Sequence, residues 1–188
     1  TIGQVISMTD AANNITQYEY DACGNLLKTI DANSKTIINT YDGNHQKISV
    51  TDANGNRTEY SYNGNMKNDV ITLPDNNTIR YEFDGEDRPT KLTDQAGNVT
   101  ITNYDKAGRV ISKHFADGGI VQYEYDKVGN VLKETNPNNA VTVKTYDANG
   151  NVLSIKDNDG NITRYQYNAM GKKVRAVNAV SGAVIYEY

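Results

Sequence analysis

The sequence predicts an all-β chain: antiparallel β-hairpins repeated every 21 residues and laid side by side in a twisted sheet. Three observations predict it. Aromatic residues stand at Tyr20, Tyr41, Tyr62, Phe83, Tyr104, Tyr125, Tyr146, Tyr167 and Tyr188, each 21 residues after the last. Around them polar and aromatic positions alternate with period 2, the signature of a strand with one covered face. Each period also holds two clusters of Asp, Asn and Gly, the residues that reverse a chain. Two strands and two short reversals per period make the strands antiparallel.

The first strand of each unit carries a second aromatic column two residues before the first: Tyr18, Tyr60, Tyr81, Tyr123, Tyr165 and Tyr186. Together the columns absorb all 14 tyrosines. Between them lies a polar column, Glu19, Thr40, Ser61, Glu82, Asn103, Glu124, Thr145, Gln166 and Glu187. The first turn follows the aromatic residue directly. In the stretches Asp21 to Gly24, Asp105 to Gly108, Asp126 to Gly129 and Asp147 to Gly150 it reads as a four-residue loop. In Asp42-Gly43, Asn63-Gly64 and Asp84-Gly85 it reads as a two-residue type I′ turn. The second strand brings an apolar column, Leu27, Ile48, Ile111, Leu132, Leu153 and Val174, expected on the aromatic face. Met8, Val50, Ile71, Leu92 and Ile155 follow on the same side.

The second turn, as in "TDANGN" at 51–56 or "KDNDGN" at 156–161, reads as an odd loop. A type I turn with a left-handed residue suits it, that residue being Gly55, Gly97 or Gly160, or Asn13, Ser34 or Asn139. An odd period keeps a column on one face only if the two turns differ in loop parity. The even first turn and odd second turn are expected to supply that difference. Around "LPDNNT" and "FADGGI" the strands are expected to be two residues longer, with shorter loops.

Composition narrows the function classes. Hydrophobic residues make up 37% of the chain, and the mean hydropathy is −0.68, yet the tyrosines and β-branched residues exclude a disordered segment. Net charge is −4, with 19 basic and 23 acidic residues intermixed. No Lys/Arg run offers a nucleic-acid footprint, and no apolar run is long enough to insert in a membrane as a helix. A lone cysteine, Cys23, excludes an internal disulfide. The chain starts within the pattern and without an initiator methionine, so it is expected to be a single repetitive domain, 1–188, of a larger polypeptide.

The candidate chemistry is sparse. The oxygen-rich stretch Asp147, Asn149, Asn151 has the look of a calcium loop. From Asp147, however, position twelve is Asn158 and position six is Val152, where an EF-hand needs an acid and a glycine. The Asp and Gly are read instead as turn residues, and no metal or cofactor is expected. His45 and His114 fall in non-equivalent columns, and Cys23 in a first turn. No nucleophile elbow, phosphate loop or zinc-protease motif is present, so no catalytic residues are assigned. Exposed tyrosines could stack sugars, but an aromatic stripe at strand spacing is expected to be packed.

The unit "YDxxGNxLxxxxDxxGNxTxYxY", nearly complete at 146–167, resembles the YD repeat of the Rhs and teneurin families, and the resemblance covers all nine units. It implies a sheet that spirals into a hollow shell around a C-terminal toxic or variable domain of the same polypeptide. It further implies a secreted or cell-surface bacterial protein of the polymorphic-toxin or wall-associated kind. Its partners would be further repeats and the enclosed cargo, with end-to-end self-association possible at open edges. The alternative is a surface-binding module that contacts a glycan or a cell-surface protein. The Asp-Pro-x-Gly motif that ends such shells, the self-cleaving aspartates and the cargo are not found in these residues.

Overall fold

The computed structural model describes residues 3–178 and the backbone of 182–185. Tyr186, Glu187 and Tyr188, the expected last aromatic triplet, lie outside the described residues. The chain forms two compact units that meet at Asn98 and Val99. The first holds strands β1 (Ser7–Thr9), β2 (Ile15–Tyr20), β3 (Leu26–Ile30), β4 (Thr36–Tyr41), β5 (Lys47–Thr51), β6 (Arg57–Tyr62), β7 (Asn68–Thr72), β8 (Thr78–Phe83) and β9 (Pro89–Thr93). The second holds β10 (Val99–Tyr104), β11 (Val110–His114), β12 (Ile120–Tyr125), β13 (Val131–Thr135), β14 (Val141–Tyr146), β15 (Val152–Lys156), β16 (Ile162–Tyr167), β17 (Lys173–Asn178) and β18 (Gly182–Ile185). Within each unit every strand pairs antiparallel with its neighbour in sequence. Among the described residues there is no helix, and so none long and apolar enough to cross a membrane.

The turns correct the expected parity. Apart from the last reversal, before β18, first and second turns share one form. In the first turn of residues 147–151 the N–H of Asp147 donates to the carbonyl of Asn151, and the N–H of Gly150 to that of Asp147. The second turn of residues 52–56 repeats both bonds. The fourth residue is left-handed in each, Gly150 at φ 82° and Gly55 at φ 85°. The turns expected as two-residue type I′ loops belong to the same class. Gly43, Gly64 and Gly85 are not left-handed; His45, Met66 and Asp87 are, at φ 64°, 59° and 61°. The second-residue glycine was misread because Asp-Gly is a strong two-residue signal, whereas position four, where a left-handed residue is needed, carries side chains less often seen there. The strands flanking Leu73–Asn77 and Phe115–Gly119 are not lengthened either, since Leu73 and Phe115 open turns of this same form.

With both turns odd, the parity difference comes from a β-bulge. In the hairpin of β14 and β15, Thr145 faces Ser154 but Tyr146 faces Val152, leaving Leu153 as the extra residue. The same shift falls before the aromatic residue in the hairpins of β2, β4, β6, β8, β10, β12 and β16. Directly opposite Tyr125 and Tyr146 therefore stand Val131 and Val152, one residue before the apolar column of Leu132 and Leu153. Those leucines are exposed, Leu153 to 40%.

The register also slips. Gln122 faces Thr135, which faces Val141, nineteen residues along, while the equivalent of Gln122 is Val143. Each hairpin is thus staggered by two residues against the last, and the first unit shows the same slip from Ile38 through Thr51 to Arg57. Two residues are roughly 6.8 Å along a strand, and two strand spacings roughly 9.6 Å across it. Rows of equivalent residues therefore run about 35° oblique to the direction across the strands.

No second layer covers either face within a unit. Among the described residues no apolar side chain is buried, and only Asn39, Ser49 and Ser112 are. The aromatic column is half-buried, not the closed core face that strict alternation suggested.

Candidate functional site

The repeated residues build two devices, a tyrosine wedge and an aspartate cage. The wedge follows from the bulge. Strands β3 and β4 are paired only over Lys28–Ile30 and Thr36–Ile38, so beyond Lys28 they part. The Leu26 carbonyl on that side has no ladder partner, and an unpaired backbone acceptor is costly. The Tyr41 hydroxyl donates to it at 3.0 Å, and buried Asn39 donates Nδ2 at 2.9 Å. Tyr20, Tyr62, Tyr125, Tyr146 and Tyr167 repeat this, each reaching the carbonyl fifteen residues upstream: Val5, Lys47, Val110, Val131 and Val152. Each ring fills the opening between hairpins while its hydroxyl caps the orphaned carbonyl. Burial raises the phenol pKa of Tyr41, Tyr125 and Tyr146, and the aspartate of the preceding repeat, Asp21 or Asp126, adds to the rise at Tyr41 and Tyr146. Phe83 stands in the same column without a hydroxyl to offer.

The cage answers whether the aspartates hold metal. Asp147 Oδ1 accepts the backbone N–H groups of Asn149 and Asn151 at 2.9 and 2.8 Å, and Oδ2 accepts Asn151 Nδ2 at 2.9 Å. Both oxygens are occupied by donors from its own turn. Asp21 and Asp126 are held alike by Asn25 and Asn130. At Asp105 the fifth residue is Arg109, whose Nε donates at 2.7 Å. The Asn151 side chain is the largest influence holding Asp147 below its usual pKa, and Arg109 acts likewise on Asp105, there through its backbone N–H first. At Asp126 desolvation is the largest influence and opposes the shift, but the bonds from Asn130 and its neighbours outweigh it. Gly24, Gly108, Gly129 and Gly150 take the left-handed fourth position of their turns. No group of three or more His, Cys, Asp or Glu side chains is gathered among the described residues.

Sequence reasoning missed the fifth turn residue. Its signal was available in the Asn that recurs four places after Asp, at Asn25, Asn130 and Asn151. Polar side chains also tie neighbouring first turns together: Asn25 Nδ2 meets His45 Nδ1 at 3.0 Å, and Gln46 Nε2 donates to the Met66 carbonyl at 3.0 Å. His45 is thus a turn residue, and His114 ends β11 beside the Ser112 hydroxyl. The two lie in different units. Cys23 is exposed in its turn.

The opposite face is polar and cross-strand paired. Lys28, Lys91 and Lys133 bridge Glu19, Glu82 and Glu124 at 3.3, 2.6 and 2.7 Å. Thr145 and Ser154 share a hydroxyl bond of 2.7 Å. These exposed pairs tune the sheet and form no reactive cluster.

Bulged hairpins in a fixed stagger, wedged by tyrosine and turned by caged aspartate, define a repetitive β-scaffold. The RHS Repeat family model matches residues 1–36, 41–67, 104–141 and 146–188. The chain belongs to the RHS repeat family. A comparison with curated protein sequences gave no match. Among solved structures the chain is similar to part of the Tc holotoxin pore of Photorhabdus luminescens, at 16% identity and a TM-score of 0.71 over 90% of this chain and 11% of that one. It is also similar to part of TcdB2-TccC3, at 16% identity and 0.72, over 90% of this chain and 12% of that one. The TcdB2-TccC3-Cdc42 structure matches at 18% identity and 0.68, covering 92% and 11%. These likenesses show the fold, and the chain spans only about a ninth of the length of the first. The fold is a structural scaffold.

Proposed function

We propose that this chain is a non-catalytic stretch of wall in a shell, acting as one repetitive domain that helps enclose a C-terminal cargo domain of its own polypeptide. The observation that carries the reading is the two-residue stagger of each hairpin. A sheet whose equivalent rows run about 35° oblique to the direction across the strands has the tilt with which strands wrap around an axis. An unstaggered stack would grow as a straight ribbon. The likeness to parts of much longer toxin chains supports the same reading, as does the single-layered sheet, whose apolar side chains are left without a covering layer. In this role the protein is a secreted bacterial toxin component, and its partner is the rest of its own chain.

Limited proteolysis of the full parent polypeptide tests the proposal. The cargo domain should resist cleavage until denaturant melts the repeats. Cleavage of the cargo in the native protein at the rate of the free domain would overturn it.

The surface-binding alternative is less well supported: the hydroxyls of Tyr41, Tyr62 and Tyr146 are spent on backbone carbonyls, and the rings are wedged between hairpins rather than displayed.

A further inference from the structure

In two repeats the aspartate that opens the first turn is replaced by asparagine, Asn63 and Asn168, and the turn of residues 136–140 opens on Asn136. Each asparagine keeps the cap. Asn63 Oδ1 accepts the backbone N–H groups of Asn65 and Lys67, both at 3.0 Å. Asn168 and Asn136 each accept two in the same way. An asparagine so held differs from the aspartates in one chemical respect. Its Cγ carries an amino group that can leave when the next backbone nitrogen attacks, closing a cyclic imide. The next residue is Gly64, Ala169 or Pro137.

Only at Asn63 are all the requirements met. The two N–H groups on Oδ1 polarise the Cγ=O bond and stand ready for the negative charge that oxygen gains under attack. The attacking nitrogen is free as well: the Gly64 N–H is exposed and makes no hydrogen bond among the described residues. Gly64 has no Cβ to crowd the approach, whereas Ala169 has one, and the Pro137 nitrogen has no proton to lose. The chain holds two more Asn-Gly pairs, Asn54-Gly55 and Asn149-Gly150, each at positions three and four of its turn. There the Gly55 and Gly150 N–H groups are spent on the Asp52 and Asp147 carbonyls at 3.0 and 3.1 Å. The side chains of Asn54 and Asn149 accept no polarising donor among the described residues.

We propose that Asn63 is a self-modifying site, deamidated by its own turn while the chain is folded. The Gly64 nitrogen gives up its proton and bonds to Asn63 Cγ. The Cγ–Nδ2 bond breaks, and ammonia leaves with that proton. Water then opens the imide at either carbonyl. One opening yields aspartate, the residue that six other repeats carry at this place. Its carboxylate stands four places before Lys67, the spacing at which Asp84 and Asp105 pair with Arg88 and Arg109. The other opening yields isoaspartate, which inserts one more carbon into the backbone directly after Tyr62. The proposal is independent of the shell reading, since it needs only the turn of residues 63–67.

The test is to hold the folded protein in mildly alkaline buffer made with oxygen-labelled water, then map its peptides by mass spectrometry. Asn63 should exchange its amide for labelled oxygen about ten-fold faster than Asn54 or Asn149, where one turn hydrogen bond must first be given up. Asn168 should react more slowly than Asn63, and Asn136 not at all. Transfer of a methyl group by an isoaspartate-specific methyltransferase should label the same peptide as it ages. Denaturant should bring the three Asn-Gly pairs to one rate, because the turns that distinguish them are gone. Gly64→Ala should suppress the reaction without lowering the urea midpoint, since φ there is not left-handed and an added methyl meets nothing within 4 Å. If that variant fails to fold, Asn63 and Asn168 in the unaltered chain decide instead. Asn54 or Asn149 keeping pace with Asn63 in the folded chain, Asn63 intact while the denatured chain reacts, or equal rates at Asn63 and Asn168 would each overturn the proposal.

Discussion

The tyrosine hydroxyl can be removed in one repeat and installed in another. Tyr146 donates to the Val131 carbonyl at 2.8 Å, where β13 and β14 have already parted: their pairing covers only Lys133–Thr135 and Val141–Val143. Tyr146→Phe keeps the ring and orphans that carbonyl. A net hydrogen bond is worth about 1 kcal/mol, and since the ring is only half-buried, water recovers part of the loss. The expected destabilisation is about 0.5–1 kcal/mol. Tyr146→Ala also removes the ring, for a total of about 2–3 kcal/mol, toward the low end for large-to-small changes because the ring has no closed core around it. Phe83→Tyr runs the experiment in reverse. A hydroxyl there meets the Asn68 carbonyl and should stabilise by about 0.5–1 kcal/mol. Thr145→Ala, on the exposed polar face, should cost less than about 1 kcal/mol. Urea denaturation followed by circular dichroism reads all four, and an unchanged slope shows that the compactness of the end states is unaffected. A neutral Tyr146→Phe, or a destabilising Phe83→Tyr, would mean that the ring alone fills the wedge and the hydroxyl argument is wrong.

The cage and the turns give three further expectations. Asp147→Ala should lower the urea midpoint more than Asp147→Asn, because an amide oxygen still accepts the two backbone N–H groups, as Asn63 and Asn168 do; equal losses would contradict this. Gly150→Ala should cost about 1 kcal/mol, since φ is +82° and an added methyl meets nothing closer than 3.6 Å, leaving backbone strain as the only penalty. The pH profile should fall at both ends. Asp21, Asp52, Asp94, Asp105, Asp126, Asp147 and Asp157 have lowered folded pKa values, so their stabilisation is full above the usual carboxylate range near 4 and lost as pH falls below it. Tyr41, Tyr125 and Tyr146 have raised values, so their contribution is full below about pH 10 and lost as pH rises through the folded value. A midpoint flat down to pH 2 or up to pH 12 would refute the corresponding half.

Much of the fold was legible because a repeat averages its own noise. One Tyr-Glu-Tyr triplet is weak evidence for a strand, but the same alternation at 21-residue intervals fixes strand, face and turn together. The second turns were readable down to the left-handed residue, Asn13, Ser34 or Asn139 where glycine is missing. The first turns were misread for a definite reason. Asp42-Gly43 and Asn63-Gly64 satisfy the two-residue rule locally, and only comparison with Gly24 and Gly150 places His45 and Met66 at the position that needs φ > 0. The aspartates were read correctly as turn residues but incompletely, because the second carboxylate oxygen answers to a side chain four positions on. Nothing in the residue types at Tyr146 and Val152 announces a bulge. It is a property of how a five-residue turn, an odd period and a constant face can coexist.

That coexistence ties local chemistry to the proposed role. If both turns must be of the left-handed five-residue kind, the faces survive only if one extra residue is absorbed in each hairpin. Absorbing it beside the aromatic position makes the strands part there and leaves one carbonyl exposed per repeat. A side chain that is both wide and tipped with a hydroxyl is then required, and tyrosine meets the requirement where phenylalanine fills the space but leaves the carbonyl uncapped. The same bulge fixes the nineteen-residue lateral step against the 21-residue period, and so the stagger. The tyrosine column and the oblique growth of the sheet are two consequences of one constraint. A variant that deletes Leu153 removes the extra residue and leaves Ser154, Ile155 and Lys156 opposite Thr145, Lys144 and Val143. Their faces should therefore hold, and the cost should be confined to the opening between hairpins that the aromatic side chain fills.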